Sequence, residues 1–287
     1  MIIGISGKLN SGKDTVGEIV QIISASPHFT DEAVLSFIGR QHLNSKWVIK
    51  KFADKLKDIV CMLLGCTREQ LEDREFKEKE LEEEWDRYVL KVDVNSHFIF
   101  KLFLSEKEAF EYKSRFFSHN LVYEIDKIKL TPRLLLQLLG TECGRQIIHP
   151  NIWCNSLMSE YNPVGFDYQG SEGKNIKGDW EYPNWIITDM RFPNELKAVK
   201  DRAGITIRVN RDDTCNCGNS TDWKYDTIKD GSNRYCKKCN QKQTIKNEHE
   251  SETSLDSAIF DYTIENDSDL ISLVKKVRII LKKEQLI

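Results

Sequence analysis

The chain has 287 residues, and its 42 lysines and arginines against 45 aspartates and glutamates give a formal net charge of −3. This balance argues against a protein dedicated to nucleic acid, which normally carries a basic field, so we expect no stable nucleic-acid partner. The N-terminus does not have the pattern of a signal peptide, and no apolar run approaches the ~18 residues of a membrane span. We therefore expect a cytoplasmic protein (in the host cytoplasm, if viral) with no membrane partner.

The first predicted elements are a strand, a glycine-rich loop and a helix. The apolar run Met1–Ile5 leads into Gly-Lys-Leu-Asn-Ser-Gly-Lys-Asp-Thr at residues 7–15, and a helical pattern continues from Val16. Glycines let backbone N–H groups converge on an anion, and the helix N-terminus adds partial positive charge. The sequence therefore predicts a phosphate-binding loop, in which Lys13 reaches the outer phosphates of a nucleotide. The candidate nucleotide-binding residues are Gly7, Lys8, Ser11, Gly12, Lys13, Asp14 and Thr15.

The residue after Lys13 departs from the commonest form of this loop. Asp14 stands where a serine or threonine usually ligates Mg²⁺, and Thr15 follows one step later. Metal contact can therefore shift to Thr15, to Asp14 through water, or to another residue. A displaced threonine of this kind is similar to that of nucleoside monophosphate kinases.

A second strand is predicted over Trp47–Phe52, and the following helix is expected to end at Gly65. In an open parallel sheet, ligands gather beyond the carboxyl ends of the strands, so Phe52, Asp54 and Lys57 are candidate substrate contacts. Asp54 fits a helix cap equally well.

The segment 66–130 is predicted to be a helical substrate-binding insertion. Thr67 caps its first helix, and residues 72–87 carry nine acids and four bases, a pattern typical of a solvated face. Residues 88–130 alternate aromatic and charged positions, which suggests a small apolar cluster of their own. For this part we expect a hairpin followed by a helix.

The next predicted helices carry two arginines and a tryptophan. Thr131 and Pro132 begin a helix that carries Arg133. We expect Gly140 and Thr141 to break it, Glu142–Ile148 to resume it with Arg145, and a further helix to carry Trp153. These side chains could form a pocket for a phosphate and a flat ring, although surface arginines and a core tryptophan fit the pattern too.

The remaining predicted elements complete a parallel sheet. Residues 162–183 are rich in glycine and polar side chains and are expected to form a loop. Trp185–Asp189 is a buried strand ending in an acid, where phosphate-loop proteins hold Mg²⁺ or its water shell. A helix near Pro193, strands at 205–209 and 262–264, and a closing helix at 268–283 follow. Strands that alternate with helices predict a three-layer α/β fold.

Four cysteines cluster in one polar segment near the end of the chain. Two pairs separated by eighteen residues suit tetrahedral Zn²⁺, and nearby cations would offset the thiolate charge. Free thiols are the alternative, because the spacing of the first pair is tighter than usual. We expect a zinc-stabilised lid over residues 211–251, with these ligands: Cys215, Cys217, Cys236 and Cys239.

The chain resembles the bacteriophage-type deoxynucleoside monophosphate kinases, relatives of adenylate kinase. The resemblance rests on motifs that run through most of the chain in order: Ser-Gly-Lys-Asp-Thr (11–15), Phe-Ala-Asp-x-Leu-Lys (52–57), Leu-Gly-Cys-Thr-Arg-Glu-Gln-Leu-Glu-Asp-Arg-Glu-Phe-Lys (64–77), Thr-Pro-Arg (131–133), Leu-Gly-Thr-Glu (139–142) with Arg145, Asn-Ile-Trp (151–153), Thr-Asp-Met-Arg-Phe-Pro-Asn-Glu (188–195) and His-Glu-Ser-Glu (249–252). It implies one phosphate-loop kinase domain over 1–287 that transfers the γ-phosphoryl of ATP to a deoxynucleoside monophosphate. The positions that it assigns to the monophosphate are Lys57, Arg133, Gly140, Thr141, Arg145, Trp153, Asp189, Arg191 and Glu195.

In the mechanism that we expect, Lys13 follows the migrating group, and Arg145 and Arg191 hold the acceptor and the transition state. Asp189 orients water on the metal, and Arg211 or Arg208 closes over the phosphates to exclude bulk water. A kinase of another small phosphorylated metabolite and a zinc-ribbon nucleic-acid-binding ATPase are the alternatives. Assembly into a homodimer is compatible with either kinase.

Overall fold

A computed structural model describes most of the chain as two compact units. One unit comprises Met1–Ala53 together with Trp153–Ile287, and the other is Asp54–Ile152. None of the helices that are described is long and apolar enough to cross a membrane. The residues that the structure describes are 1–40, 45–94, 97–118, 120–165, 168–169, 175–176, 180–211, 223–225, 233–237, 242–244 and 253–287.

The helices and strands follow the chain in a mixed order. The strands are β1 (Ile2–Ser6), β2 (Trp47–Lys50), β3 (Arg87–Val94), β4 (His97–Phe103), β5 (Tyr123–Ile128), β6 (Tyr168–Gln169), β7 (Asn175–Ile176), β8 (Asn184–Met190), β9 (Ile205–Asn210), β10 (Trp223–Tyr225), β11 (Asn233–Cys236), β12 (Lys242–Thr244) and β13 (Tyr262–Glu265). The α-helices are α1 (Lys13–Ala25), α2 (Asp31–Phe37), α3 (Asp54–Leu64), α4 (Arg68–Glu72), α5 (Arg74–Glu78), α6 (Glu106–Phe116), α7 (Pro132–Gln137), α8 (Ile152–Met158), α9 (Pro193–Lys200) and α10 (Leu270–Lys283). A 3₁₀ turn covers Glu83–Trp85, and a π-helix covers Leu138–Ile148.

The first unit is built on a five-stranded sheet in the order β13-β9-β1-β8-β2. Every neighbouring pair in it is parallel, which confirms the α/β prediction. The chain leaves β1 for the edge strand β2, returns to β8, and then crosses to β9 on the other side of β1. The strand order therefore reverses beside β1, and ligands of such sheets bind beyond the carboxyl ends at this point.

Both faces of this sheet are covered, because successive residues of a strand point to opposite faces. Ile3 and Ile5 pack with α1 and α10 in one apolar cluster, whereas Ile2 packs with α8 and α9 in another. Gly17 lets α1 approach β8 closely, since a Cβ at this position would lie 2.5 Å from Thr188 Cγ2. This close packing fixes the start of α1 above the sheet.

The second unit contains a small antiparallel sheet in the order β4-β3-β5, with α6 packed against it. The predicted hairpin and helix are confirmed as β3, β4 and α6. The insertion, predicted to be helical, contains helices and also this sheet, because β3 alternates apolar and polar residues and buries Leu90 and Val92 beneath α6. The third strand, β5, was not predicted.

Two helices of the second unit, α4 and α7, start as predicted, but one predicted break is absent. Thr67 and Gln70 form a reciprocal capping box, and Thr131 caps α7. The expected break at Gly140 and Thr141 is wrong: backbone hydrogen bonding continues through the π-helix Leu138–Ile148. Gly140 is needed for close packing rather than for a turn, since a Cβ there would lie 2.8 Å from Leu56 Cδ2.

The polar segment before β13 is described only in part. Its strands pair antiparallel in the order β10-β11-β12, and the backbone of Cys236 ends β11. The zinc prediction lies outside the described residues for Cys215, Cys217 and Cys239. Within the described part of the chain, no group of three or more His, Cys, Asp and Glu side chains could hold a metal. In the predicted loop at 162–183, β6 and β7 form a two-stranded sheet.

Candidate functional site

The loop between β1 and α1 has a shape that requires its two glycines. A Cβ on Gly7 would lie 2.3 Å from Ser11 Oγ and 2.7 Å from the carbonyl oxygen of Val209. Gly12 caps α1 with φ +94°, a conformation that side chains disfavour. The Ser11 N–H donates to the Lys8 carbonyl at 3.1 Å, which closes the turn. The loop therefore curls tightly at the N-terminus of α1, as an anion-binding loop does. Residues 7–15 are called the cradle below.

Asn266, directly after β13, supports this loop from outside. Its side-chain amide donates to the Ser11 carbonyl at 2.9 Å, and its own N–H donates to the carbonyl of Asn210 at 2.7 Å. Asn266 thus links the ends of two strands to the cradle. The sequence analysis did not identify it, and its only signal was an asparagine just past the last strand.

Two polar side chains are buried in the cradle. Lys13 is 6% exposed, and its Nζ lies 3.5 Å from the Lys8 carbonyl oxygen. Ser11 is 3% exposed, and its hydroxyl has no hydrogen-bond partner among the described residues. A buried hydroxyl without a partner is costly, so this one is suited to donate to a ligand oxygen. The cradle therefore offers backbone N–H groups, a hydroxyl and an ammonium to one anion.

Asp14, the unusual residue of the loop, is held by two neighbours. Thr188 Oγ1 donates to Asp14 Oδ1 at 2.8 Å, and Lys51 Nζ lies 3.0 Å from the same oxygen. Burial alone would raise the pKa of Asp14, but Lys51, Thr188 and the charge of Lys13 outweigh it, and the pKa is lowered. Asp14 is therefore an anion at neutral pH. Thr15, the next candidate, is half-buried.

Asp189, the acid at the end of β8, accepts two backbone hydrogen bonds. The Phe52 N–H donates to Oδ1 at 2.8 Å and the Ala53 N–H donates to Oδ2 at 2.9 Å. Burial raises the pKa of Asp189, whereas these bonds and the charges of Arg191 and Lys51 oppose the rise. The carboxylate thus fixes the chain that leaves β2. The Phe52 side chain is buried in the core.

Glu195 and Arg191 meet at the start of α9. Glu195 is 2% exposed, and its Oε2 accepts the N–H groups of Arg191 at 2.7 Å and Phe192 at 3.0 Å. Glu195 therefore shapes the turn that carries Arg191, whose side chain is half-buried. The resemblance assigned Glu195 to the substrate, and this backbone contact was not foreseen.

The two arginines considered for the lid differ in their surroundings. Arg208 donates to Ser6 Oγ at 3.1 Å and to Asp256 at 2.7 Å, and Lys8 lies 3.6 Å from Asp256. Lys8, Arg208 and Asp256 line a cavity of about 360 Å³ beside the cradle. Arg211 is exposed just after β9.

In the second unit, two of the candidate cations are paired with carboxylates. Lys57 donates to Glu72, and Arg133 donates to Glu78. Burial would raise the pKa of Glu72, but Lys57 and Lys77 lower it to about 2. Asp54 is the first residue of α3 and lies 3.0 Å from Arg68.

The other candidates of the acceptor side are carried by two helices. The π-helix contains Gly140, Thr141 and Arg145, of which Gly140 is buried and Arg145 half-buried. Trp153 is buried in α8. The structure thus brings the loop, Lys51, Thr188 and Asp189 together in the first unit, and places Asp54, Lys57, Arg133, Gly140, Thr141 and Arg145 in the second.

Comparisons with known proteins agree on one family. Residues 1–227 match the family model described as deoxynucleotide monophosphate kinase. The deoxynucleoside-5'-monophosphate kinase of Escherichia phage T5 is 25% identical to this chain over 213 residues, which cover 70% of this chain and 72% of the phage protein. The matched range includes the cradle, all of the second unit and the strands up to β10, and it ends before Cys236 and Cys239.

Proposed function

The chain belongs to the deoxynucleotide monophosphate kinase family, and on that premise we propose that it transfers the γ-phosphoryl of ATP to deoxynucleoside monophosphates at the cradle described above. The observation that carries this assignment is the buried Ser11 hydroxyl, which lacks a hydrogen-bond partner among the described residues, beside a buried Lys13 and the N-terminus of α1. These donors suit the outer phosphates of a nucleoside triphosphate.

The nucleotide would be held mainly by main-chain groups. Gly7 and Gly12 allow close approach of the backbone, and Lys8, Ser11 and Lys13 supply side-chain donors. Lys13 would follow the migrating phosphoryl group, a role supported by its ammonium lying 3.5 Å from the Lys8 carbonyl oxygen of the loop. By moving with that group, the Lys13 ammonium would stabilise the transition state more than the ground state.

The polar groups at the sheet end fit a hydrated Mg²⁺. Thr15 offers a hydroxyl at the start of α1, and Asp14 is ionised. Both oxygens of Asp189 already accept N–H groups, which favours contact with a metal-bound water over direct ligation. Bound Mg²⁺ would neutralise phosphate charge and orient the γ-phosphoryl group.

The acceptor monophosphate would be held by guanidinium and ammonium groups. Arg145 and Arg191 suit two-pronged contact with a phosphate dianion, and Lys57 and Arg133 add positive charge. Trp153 is assigned to the base, and Phe52, Asp54, Gly140, Thr141, Asp189 and Glu195 to shaping the acceptor side. Such a transfer needs no general base, because a phosphate dianion is already an adequate nucleophile. Arg211 would exclude water from the phosphates.

A direct test replaces Lys13 with alanine and follows ADP formation with each of four deoxynucleoside monophosphates. We expect at least a 100-fold loss of kcat/KM, on the order of other lost transition-state donors. Lys275→Ala, an exposed lysine of α10, is the matched control and should retain full activity. Turnover by Lys13→Ala at the wild-type rate would refute the assignment. Phosphorylated metabolites as acceptors, and DNA as a stimulator of ATP hydrolysis, would test the two alternatives in the same assay.

We further propose that Cys215, Cys217, Cys236 and Cys239 bind a structural Zn²⁺. The proposal is supported by their paired spacing and by the position of Cys236 at the end of a strand, with Lys237 next to it in a turn. Metal analysis of protein purified without added metal should find about one zinc per chain. Cys236→Ser together with Cys239→Ser should remove it, and a protein free of zinc before mutation would contradict the proposal.

A further inference from the structure

Lys51 is a cation at the site to which neither the sequence nor the resemblance assigned a role. It follows β2 directly, and its Nζ lies 3.0 Å from Asp14 Oδ1. Its side chain is one-third exposed, so the ammonium reaches the site from a fixed strand end on a flexible stem. Its charge also favours the ionised form of Asp189, on the neighbouring strand. Lys51 is thus the residue whose charge acts on both acids of the sheet end.

Asp14 is a negative charge beside the position proposed for the nucleotide phosphates, so a neighbouring cation is needed to offset their repulsion. The carboxylate lies in the first turn of α1, next to Lys13, where the phosphates of a nucleotide would bind. A carboxylate close to a triphosphate is repelled unless a positive charge lies between them. Thr188 donates a hydrogen bond but carries no charge, whereas Lys51 supplies a full positive charge at 3.0 Å.

We propose that Lys51 is a positioning residue that occupies the cation position on Asp14 in the metal-free protein and yields it to Mg²⁺ when the metal–nucleotide complex binds. This inference rests on the function proposed above. A single ammonium can neutralise Asp14, whereas a hydrated divalent ion can neutralise it and also bind phosphate oxygens. Lys51 would therefore keep the cradle able to bind nucleotide without metal, and it would compete with the metal for Asp14.

The test compares binding of a non-hydrolysable ATP analogue, AMP-PNP, with and without metal, by titration calorimetry. In EDTA, Lys51→Met should bind AMP-PNP roughly two- to fivefold more weakly than the wild type, the scale of a partly exposed ion pair. With Mg²⁺ present, the two proteins should bind it about equally. Mn²⁺ binding, followed by electron paramagnetic resonance in the presence of AMP-PNP, should tighten in Lys51→Met by a similar factor.

Two further variants make the result specific. Lys50→Met changes the preceding lysine, which pairs with Glu160 at 3.1 Å, and should bind AMP-PNP like the wild type with and without metal. In the background Asp14→Asn, Lys51→Met should have no effect, because the carboxylate that pairs with Lys51 is absent and Asp189 is still held by two main-chain N–H groups. Thermal unfolding of each variant verifies that it is folded, and Lys51→Gln serves as the second test variant.

The outcomes separate the inference from the proposed function. A loss of AMP-PNP affinity in Lys51→Met that is equal with and without metal would overturn the exchange of Lys51 for the metal, and so would the absence of any change. If the wild type bound AMP-PNP neither with nor without metal, the proposed function itself would be overturned.

Discussion

The unit with the parallel sheet and the unit Asp54–Ile152 hold their candidate functional groups by different means. In the first, main-chain atoms fix Asp189 and the loop: Asp189 accepts two main-chain N–H groups, and the Ser11 carbonyl accepts the side-chain amide of Asn266. Asp14 is the exception, because the side chains of Lys51 and Thr188 hold it. In the second, carboxylates hold two of the candidate cations: Glu72 holds Lys57, and Glu78 holds Arg133.

This difference indicates how rigidly each unit holds the residues that we propose to bind phosphate. Main-chain groups at the ends of buried strands cannot change partners without local unfolding, so the loop that we propose for the nucleotide has its shape without a ligand. Partly exposed ion pairs contribute only ~0–1 kcal/mol, so Lys57 and Arg133 can exchange a carboxylate for a phosphate at little cost. The strand end at Asp189 is therefore preorganised, whereas Lys57 and Arg133 carry exchangeable charge.

The largest effect is expected for Asp189→Asn, which tests whether main-chain hydrogen bonds to Asp189 hold the strand end in the first unit. Asparagine keeps one acceptor oxygen and turns an amide toward the other N–H, so one main-chain donor loses its partner. We expect the free energy of unfolding to fall by about 1–3 kcal/mol, and kinase activity to fall with it. Urea denaturation measures the first effect. Asp201→Asn, at an exposed carboxylate paired with Lys197, is the control and should change stability by less than ~0.5 kcal/mol. If both variants were equally stable, Asp189 would not be holding the strand end.

A smaller effect is expected in the same unit for Ser11→Ala, which should lower nucleotide affinity without lowering the stability of the ligand-free protein. Ser11→Ala removes a buried hydroxyl that has no partner among the described residues, so the stability of the ligand-free protein should stay the same or rise slightly. AMP-PNP affinity should fall about tenfold, because the lost hydrogen bond is to a charged phosphate. Calorimetry and urea denaturation on the same samples check both. The matched control, Ser36→Ala, removes an exposed hydroxyl of α2 and should leave AMP-PNP affinity unchanged. Destabilisation by Ser11→Ala would mean that its hydroxyl already has a protein partner.

The features that were predictable from the sequence are those set by neighbouring residues. The strand, loop and helix around Gly7–Thr15, the capping box of Thr67 and the N-cap of Thr131 depend on residues within a few positions of each other. The same local patterns gave the parallel sheet, since alternating strands and helices have few other solutions.

The features that were missed depend on distant partners. Asp189 binds N–H groups 136 and 137 residues away, and Asn266 reaches a carbonyl 255 residues away, so no local pattern could reveal either contact. The continuous π-helix was missed for a related reason. Glycine normally signals a break, but at Gly140 it makes room for Leu56 on another helix.

The smallest effect is expected in the second unit, at the ion pair between Glu72 and Lys57. Glu72→Gln removes the carboxylate that pairs with Lys57, and the free energy of unfolding at neutral pH should fall by no more than ~1 kcal/mol, since the pair is partly exposed. Because the pKa of Glu72 is lowered from 4.5 to about 2 in the folded protein, its stabilisation is complete above pH 4.5 and is lost as the pH falls toward 2. The difference between wild type and variant should therefore shrink over this range.

The same variant reports on the exchange of partners. If Lys57 leaves Glu72 to bind the acceptor phosphate, Glu72→Gln removes a competitor, and the KM for the monophosphate should fall by roughly two- to fivefold. Glu124→Gln, at an exposed carboxylate near Lys91 on the small sheet, is the control and should leave that KM unchanged. A rise in KM for Glu72→Gln alone would show that Glu72 positions Lys57 for the substrate. The charge on this unit would then be preorganised as well, through side chains rather than through the main chain.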